Sequence, residues 1–281
     1  MQNKNVIITG ATAGIGLETA KQLAKKGANV YIVGRNADKS KVAVEEIQTY
    51  SGNTNVHYFT ADLSSQQEVR KLAAEINAKL DRLDILINNA GAVFQDLRYS
   101  ADNIELTFAT NHLSYFLLTH LLLDKLKTSA PARIINVASD SHYRGKIDFD
   151  DLYMTKSFQG LAAYERSKLG NVLFTVELAE KLKGTGVTVN ALHPGRVKTD
   201  IGSKNTGLLY KLGWNFFKAF SSISIEKGAE TSIYMAHSDE VKDISGKYFS
   251  ECKAKEYSRY GKTPGLKEKL WEVSAQLTNL Q

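Results

Sequence analysis

Short apolar runs alternate with segments of helical period along most of this chain. Val6-Ile7-Ile8 is the first run, and between Ile15 and Lys26 the residues Ile15, Ala20, Leu23 and Ala24 recur near helical spacing. Gly27 ends that helix, and Val30-Tyr31-Ile32-Val33 forms the next strand. The alternation continues with a helix over 37–50, a strand over 56–60, a helix over 66–79 and strand Ile85-Leu86-Ile87. One long helix at about 103–127, strand Ile134-Ile135-Asn136-Val137, a helix at about 161–183 and strand Val187-Thr188-Val189-Asn190-Ala191 complete it. These strands are apolar along most of their length, so they predict a parallel sheet covered on both faces. With no linker and no solenoid repeat, the reading is one α/β domain spanning 1–281, a doubly wound parallel sheet with helices on both faces.

Two stretches break the rhythm, 140–160 and 200–224, and each follows the carboxyl end of a strand, where open α/β sheets bind ligands. The second holds an aromatic segment at 207–220, read as a lid over an apolar substrate. A buried packing helix and an interfacial helix on a membrane are the alternatives. Composition narrows the class further. A single cysteine, Cys252, excludes a disulfide framework and a cysteine-based zinc site. The six histidines lack metal spacing, so no metal is expected, and His112, His120 and His193 read as core or helix-face residues. Residues Met1 to Asn5 are too few for a signal peptide's apolar core, and the stretch Phe116–Leu123 is interrupted by His120. A cytoplasmic protein with no transmembrane segment is the expectation. The net charge of +6 permits an anionic partner. Lys253, Lys255, Arg259 and Lys262 beside Tyr257 and Tyr260 are too slight a basic-aromatic pattern to predict nucleic-acid binding.

Thr9-Gly10-Ala11-Thr12-Ala13-Gly14-Ile15-Gly16 links the first strand to the first helix. Glycines there allow a sharp turn and let a pyrophosphate approach the free N–H groups of the helix start. Gly10, Thr12, Ala13, Gly14, Ile15 and Gly16 are therefore candidate cofactor-binding residues, and a tight turn with no ligand is the alternative. Where an acidic residue would bind a ribose 2′-hydroxyl, the second strand ends in Gly34-Arg35-Asn36. A guanidinium suits a 2′-phosphate, so Arg35 favours NADP (NADPH) over NAD, with Asp38 nearby weakening the field.

Among thirteen tyrosines only Tyr164 has a lysine four residues later, Lys168, on the same helix face. A phenol that works as a proton donor near neutrality needs its pKa lowered by roughly three units, about 4 kcal/mol of preferential phenolate stabilisation. A nearby ammonium in a partly dry site would supply much of that. Alone, the pair is more readily a chance surface spacing than chemistry.

Together with the glycine turn, Asn88-Asn89-Ala90-Gly91, Ser139, and Pro194-Gly195, the Tyr164-x-x-x-Lys168 pair resembles the short-chain dehydrogenase/reductase family over about residues 4–250. The stretches Phe108–Leu113, Tyr164–Phe174 and His193-Pro194-Gly195 are similar to the retinol-dehydrogenase-like branch. The resemblance implies a Rossmann-type fold and an NADP(H)-dependent oxidoreductase interconverting a lipophilic aldehyde or ketone and its alcohol. Tyr164 would exchange the proton with the substrate oxygen, Lys168 would lower its pKa and bind the nicotinamide ribose, and Ser139 would hold the substrate oxygen. Asn111 would position a water that relays protons to Lys168. Asp62 and Leu63 would flank the adenine, while Asn88, Ala90 and Gly91 would line the cofactor cleft. Pro194 and Gly195 belong to the same set, and Val197 and Thr199 would meet the carboxamide. Relatives form dimers or tetramers through the tyrosine-bearing helix, whereas the C-terminal extension 251–281 would cover a surface and favour a monomer. A non-catalytic NADP-sensing regulator and a methyltransferase are the rival classes. The assembled Asn111, Ser139, Tyr164 and Lys168 set argues against the first, and the Tyr164/Lys168 pair with Arg35 against the second.

Overall fold

Val6, Ile7 and Ile8 are all fully buried, as in a strand packed on both faces. The computed structural model describes residues 1–195 and 223–280. In it β1 (Asn5–Thr9), α1 (Gly14–Lys25), β2 (Asn29–Gly34), α2 (Ala37–Ser51), β3 (Val56–Thr60), α3 (Gln66–Lys79) and β4 (Ile85–Asn88) follow in strict alternation. Then come α4 (Leu106–Phe108), α5 (Ser114–Leu121), α6 (Leu123–Thr128), β5 (Ala132–Val137), α7 (Gly160–Lys181) and β6 (Val187–His193). After the helix Ile225–His237, β7 (Tyr248–Ser250) and β8 (Lys253–Lys255) extend the sheet, and the helix Leu266–Leu277 follows.

The strand order is β3-β2-β1-β4-β5-β6-β7-β8, parallel throughout except for β8, which pairs antiparallel with β7. The order reverses between β1 and β4, the point at which an open α/β sheet parts its loops and makes a crevice. Val6 and Ile8 pack with Leu23, Ile32 and Ile47 on one face, while Ile7 joins Leu72, Phe116 and Phe174 on the other. This is the expected Rossmann-type α/β fold.

Two expectations change. The sheet has two more strands than the apolar runs predict, because β7 and β8 are three residues each and Lys253-Ala254-Lys255 carries no apolar pattern. The region expected as one helix over 103–127 is broken. A π-helical turn at Ala109–Leu113 separates α4 from α5, and α6 starts after Leu122. The wide turn carries Asn111, whose side chain bonds the backbone of Ala92 instead of facing a neighbouring helical turn.

Candidate active site

The glycine turn is shaped first by the neighbouring β4 loop. Gly10 has φ +67°, and a Cβ there would lie 2.7 Å from Cα of Ala90. A Cβ on Gly16 would lie 2.5 Å from Nδ2 of Asn89. Asn89 Nδ2 donates to the carbonyls of Thr9 at 2.8 Å and Gly10 at 3.2 Å. Thr9 Oγ1 accepts from the N–H groups of Asn89 and Ala90 at 2.9 and 3.1 Å. The β1 and β4 loops are thus one braced unit. The N–H groups opening α1 are left without a side-chain cap: Ala13 offers none, and the first turn has no acidic residue. By contrast, α2 and α3 are capped by Asn36 and Ser65 and carry Asp38 and Glu68 in their first turns. An uncapped helix start behind a glycine turn suits a phosphate anion. Thr12, Ala13, Gly14 and Ile15 all lie in this turn or the first helical residues.

Arg35 stands just past the end of β2, largely exposed, with its guanidinium 3.9 Å from Asp62 Oδ2. Asp62 is itself turned by Ser64, whose N–H and hydroxyl donate to it at 3.0 and 2.7 Å. Leu63 packs against the core. Asn88, expected to line the cleft, turns its amide into the interior instead. It donates to Thr119 Oγ1 at 3.0 Å and Asn136 Oδ1 at 2.9 Å, and Asn136 donates on to Thr175. The last residue of a doubly covered strand has no other place for a side chain pointing into the helix layer. Ala90 is held by Tyr115, whose hydroxyl donates to its carbonyl at 2.8 Å.

The catalytic candidates gather at the carboxyl ends of β4 and β5. Ser139 follows β5, and its side chain is close enough to Tyr164, which α7 presents half-buried, to favour the phenolate. One turn later on α7, buried Lys168 donates from Nζ to the carbonyl of Val137 at 2.9 Å and lies 5.6 Å from the Tyr164 ring centre. Asn111 is buried, and its Nδ2 also reaches Ser167 Oγ at 3.1 Å. Gly91 sits between the two halves: a Cβ there would come 3.4 Å from Lys168 Nζ and 3.5 Å from Asn111 Oδ1. The electrostatics depart from the simple expectation of an acidified phenol. Burial pushes the Tyr164 phenol up, opposed by the Ser139 hydrogen bond. Burial also holds the Lys168 ammonium down at about 7. In this dry site desolvation outweighs the attraction, so the lysine is the more readily titrated of the pair.

Two partners of this site carry no local sequence pattern. Arg166, between Tyr164 and Lys168, is buried and pairs with buried Glu105 at 2.8 Å. Glu105 caps the N–H groups of Thr107 and Phe108 at 2.6 and 2.9 Å, so the pair ties the helix of Tyr164 to the segment of Asn111. His112 fills the core, as expected. Its Nε2 meets Ser274 Oγ of the C-terminal helix at 2.9 Å, and burial lowers its pKa to about 4. Pro194 and Gly195 follow β6, and Gly195 has φ +84°. Val197, Thr199 and the segments 200–222 and 207–220 lie outside the described residues. Among the described residues, no helix is long and apolar enough to cross a membrane.

The sequence profile of the short chain dehydrogenase family matches residues 4–207. Retinol dehydrogenase 12 of Mus musculus is 44% identical over 99% of this chain and 87% of its own. Retinol dehydrogenase 13 of Homo sapiens is 43% identical over 99% of this chain and 85% of its own. Among solved structures, an uncharacterized protein from Mycobacterium Paratuberculosis superposes with a TM-score of 0.80 at 30% identity, covering 99% of this chain and 94% of that one. A short-chain dehydrogenase/reductase mutant from Serratia marcescens gives a TM-score of 0.70 at 25% identity, covering 89% and 96%. The chain belongs to the short-chain dehydrogenase/reductase family, oxidoreductases that interconvert carbonyl and alcohol groups with a nicotinamide cofactor.

Proposed function

We propose that this protein is an NADP(H)-dependent oxidoreductase acting on a lipophilic aldehyde, ketone or alcohol, with Tyr164, Lys168, Ser139 and Asn111 as its proton-handling site. The observation that carries the reading is that Tyr164 has Ser139 on one side and Lys168 on the other, with Lys168 and Asn111 both beside Gly91 after β4. The residues fit the cofactor: the uncapped start of α1 and the glycine turn suit its pyrophosphate, and the exposed Arg35 suits a 2′-phosphate. When bound, the nicotinamide supplies or accepts the hydride.

The chain's own residues handle the proton. Ser139 Oγ accepts from the Ser141 N–H at 3.1 Å, which leaves its hydrogen free to donate to a substrate oxygen or to Tyr164. Tyr164 donates its proton to the carbonyl oxygen during reduction and recovers it from the alcohol in reverse. Lys168, with a pKa of about 7, is half protonated near neutrality and stands 5.6 Å from that ring, close enough to stabilise charge on it or pass a proton through one water. Asn111 holds both backbone groups of Ala92, fixing the segment after Gly91. The names of the retinol dehydrogenase relatives favour an apolar, retinoid-like carbonyl or alcohol. Titration of the purified protein with NADPH and NADH, followed by NADPH oxidation against a panel of apolar aldehydes and ketones, tests the reading. Tighter NADPH binding with turnover of an apolar carbonyl is expected. Tight binding with no turnover of any compound would replace the enzyme with a nucleotide-binding regulator.

A further inference from the structure

The peptide that follows Ser139 is held at both of its polar atoms. Its carbonyl oxygen accepts from the backbone N–H of His142 at 3.0 Å and lies 2.7 Å from Nδ1 of the same buried residue, so the ring adds a second, directional hold to that of the turn. Its N–H, that of Asp140, donates to Nδ1 of His193 at 3.2 Å. Backbone N–H groups decide the tautomers of both rings, because an N–H only donates. Ser258 donates its N–H to Nε2 of His142 at 3.2 Å, so that nitrogen is the acceptor. Nδ1 of His142 therefore carries the hydrogen and donates it to the Ser139 carbonyl. At His193 the logic reverses: Nδ1 accepts from Asp140, so Nε2 carries the hydrogen and faces Asp140 Oδ2 at 3.2 Å. The Tyr248 hydroxyl donates to the other oxygen, Oδ1, at 2.6 Å, and its ring lies 4.5 Å from that of His142.

A peptide unit is planar, so fixing its oxygen and its N–H fixes the plane. That constrains the ψ of Ser139, 155° in its extended backbone, and the Ser141 N–H on Oγ then sets its side chain. Without the two rings, the serine would begin a connection that has only one short helical turn, Asp140–Tyr143, before α7 starts at Gly160. We propose that His142 and His193 are positioning residues for the reaction: two imidazoles of opposite tautomer clamp the Ser139–Asp140 peptide and aim the serine hydroxyl at Tyr164. Through Ser258, the clamp also makes the C-terminal segment a support of the active site. The inference rests on the reading of Ser139 and Tyr164 given above.

Two measurements on the full chain test it. The first is long-range nitrogen–proton correlation NMR of the cofactor-free protein, which reads each ring's tautomer without any turnover. The Nδ1–H form for His142 and the Nε2–H form for His193 are expected, and the same tautomer in both rings would overturn the clamp. The second uses NADPH and the best carbonyl of the panel. His142→Asn keeps a donor near the Nδ1 position, and His142→Gln keeps an acceptor near the Nε2 position. The glutamine variant is expected to lose kcat by about 10–100-fold, the scale of a misplaced catalytic group, with NADPH affinity held. The asparagine variant should recover most of that loss. In a Ser139→Ala background His142→Gln should cost less than about 2-fold more, because the ring acts through the serine. Equal losses in the asparagine and glutamine variants, or a full loss in the Ser139→Ala background, would overturn the proposal. Wild-type turnover of Ser139→Ala alone would instead retire the assigned role of the serine, a separate failure.

Discussion

The two halves of the cleft are built by opposite means. On the nucleotide side, a short turn is shaped by what it lacks: side chains at Gly10 and Gly16, a cap at Ala13, an acid in the first turn of α1. On the catalytic side, Lys168, Asn111 and the helix of Tyr164 are each gripped by a partner from another part of the chain. Lys168 reaches Val137, Asn111 reaches Ala92 and Ser167, and the helix of Tyr164 is bolted through Arg166 to Glu105. Substituting an exposed residue on the first side should tune affinity. Substitutions on the second side should act through removed chemistry, unpaired buried groups or large electrostatic terms.

The sharpest division comes from Tyr164→Phe, which removes the exchangeable proton and little else. Turnover should fall by about 10³-fold or more, with the NADPH dissociation constant unchanged within about 2-fold, measured by steady-state kinetics and fluorescence titration. Loss of nucleotide binding in that variant would mean that the halves are not separable. Arg166→Met comes next. It leaves buried Glu105 without its ion-pair partner and should cost about 3–5 kcal/mol in denaturant unfolding. Adding Glu105→Gln should recover part of that loss, because the stranded charge is then gone.

Lys168→Met probes the electrostatics. In the folded protein Lys168 binds its proton only below about pH 7, whereas in the unfolded chain it does so up to its usual 10.5. The unfolded state therefore holds more protons between those values, and this group makes stability rise with pH across that window, by at most roughly 1.4 kcal/mol per unit. Inactive Lys168→Met should thus be more stable than the parent at pH 6, by a few kcal/mol at most on this scale, with the gap closing toward pH 10. Unfolding of the cofactor-free proteins at both pH values checks it, and a gap that widens with pH would reverse the assignment. The smallest effect belongs to the nucleotide side. Arg35→Ala should weaken NADPH by about 10-fold, near 1.4 kcal/mol, and leave NADH almost unchanged. Equal weakening of both would remove the 2′-phosphate contact.

The sequence alone was enough for the parts of the molecule governed by local rules. Val6-Ile7-Ile8 reads as a doubly covered strand, because a short β-branched run before a glycine turn has no solvent face to offer. Gly10 and Gly16 announced a turn that a side chain would block, and Tyr164 and Lys168 shared a face because a helix repeats every 3.6 residues. What needed the tertiary structure is whatever depends on groups far apart in the chain. The turn carrying Asn111 is π-helical, and no periodicity in Ala109–Leu113 says so. Asn88 is a cleft residue by the family resemblance, but only the structure shows that Thr119 and Asn136 take its amide inward. Strands β7 and β8 are three residues each, too short to show a period, and are defined by pairing: β7 on the edge of β6 and β8 on β7. The pKa values turned on burial, which a sequence records only indirectly: Lys168 was legible as a cation, but its value of about 7 comes from the walls around it. Histidines 142 and 193 were likewise legible as residues, and only the N–H groups of Ser258 and Asp140 decided which nitrogen of each holds its proton.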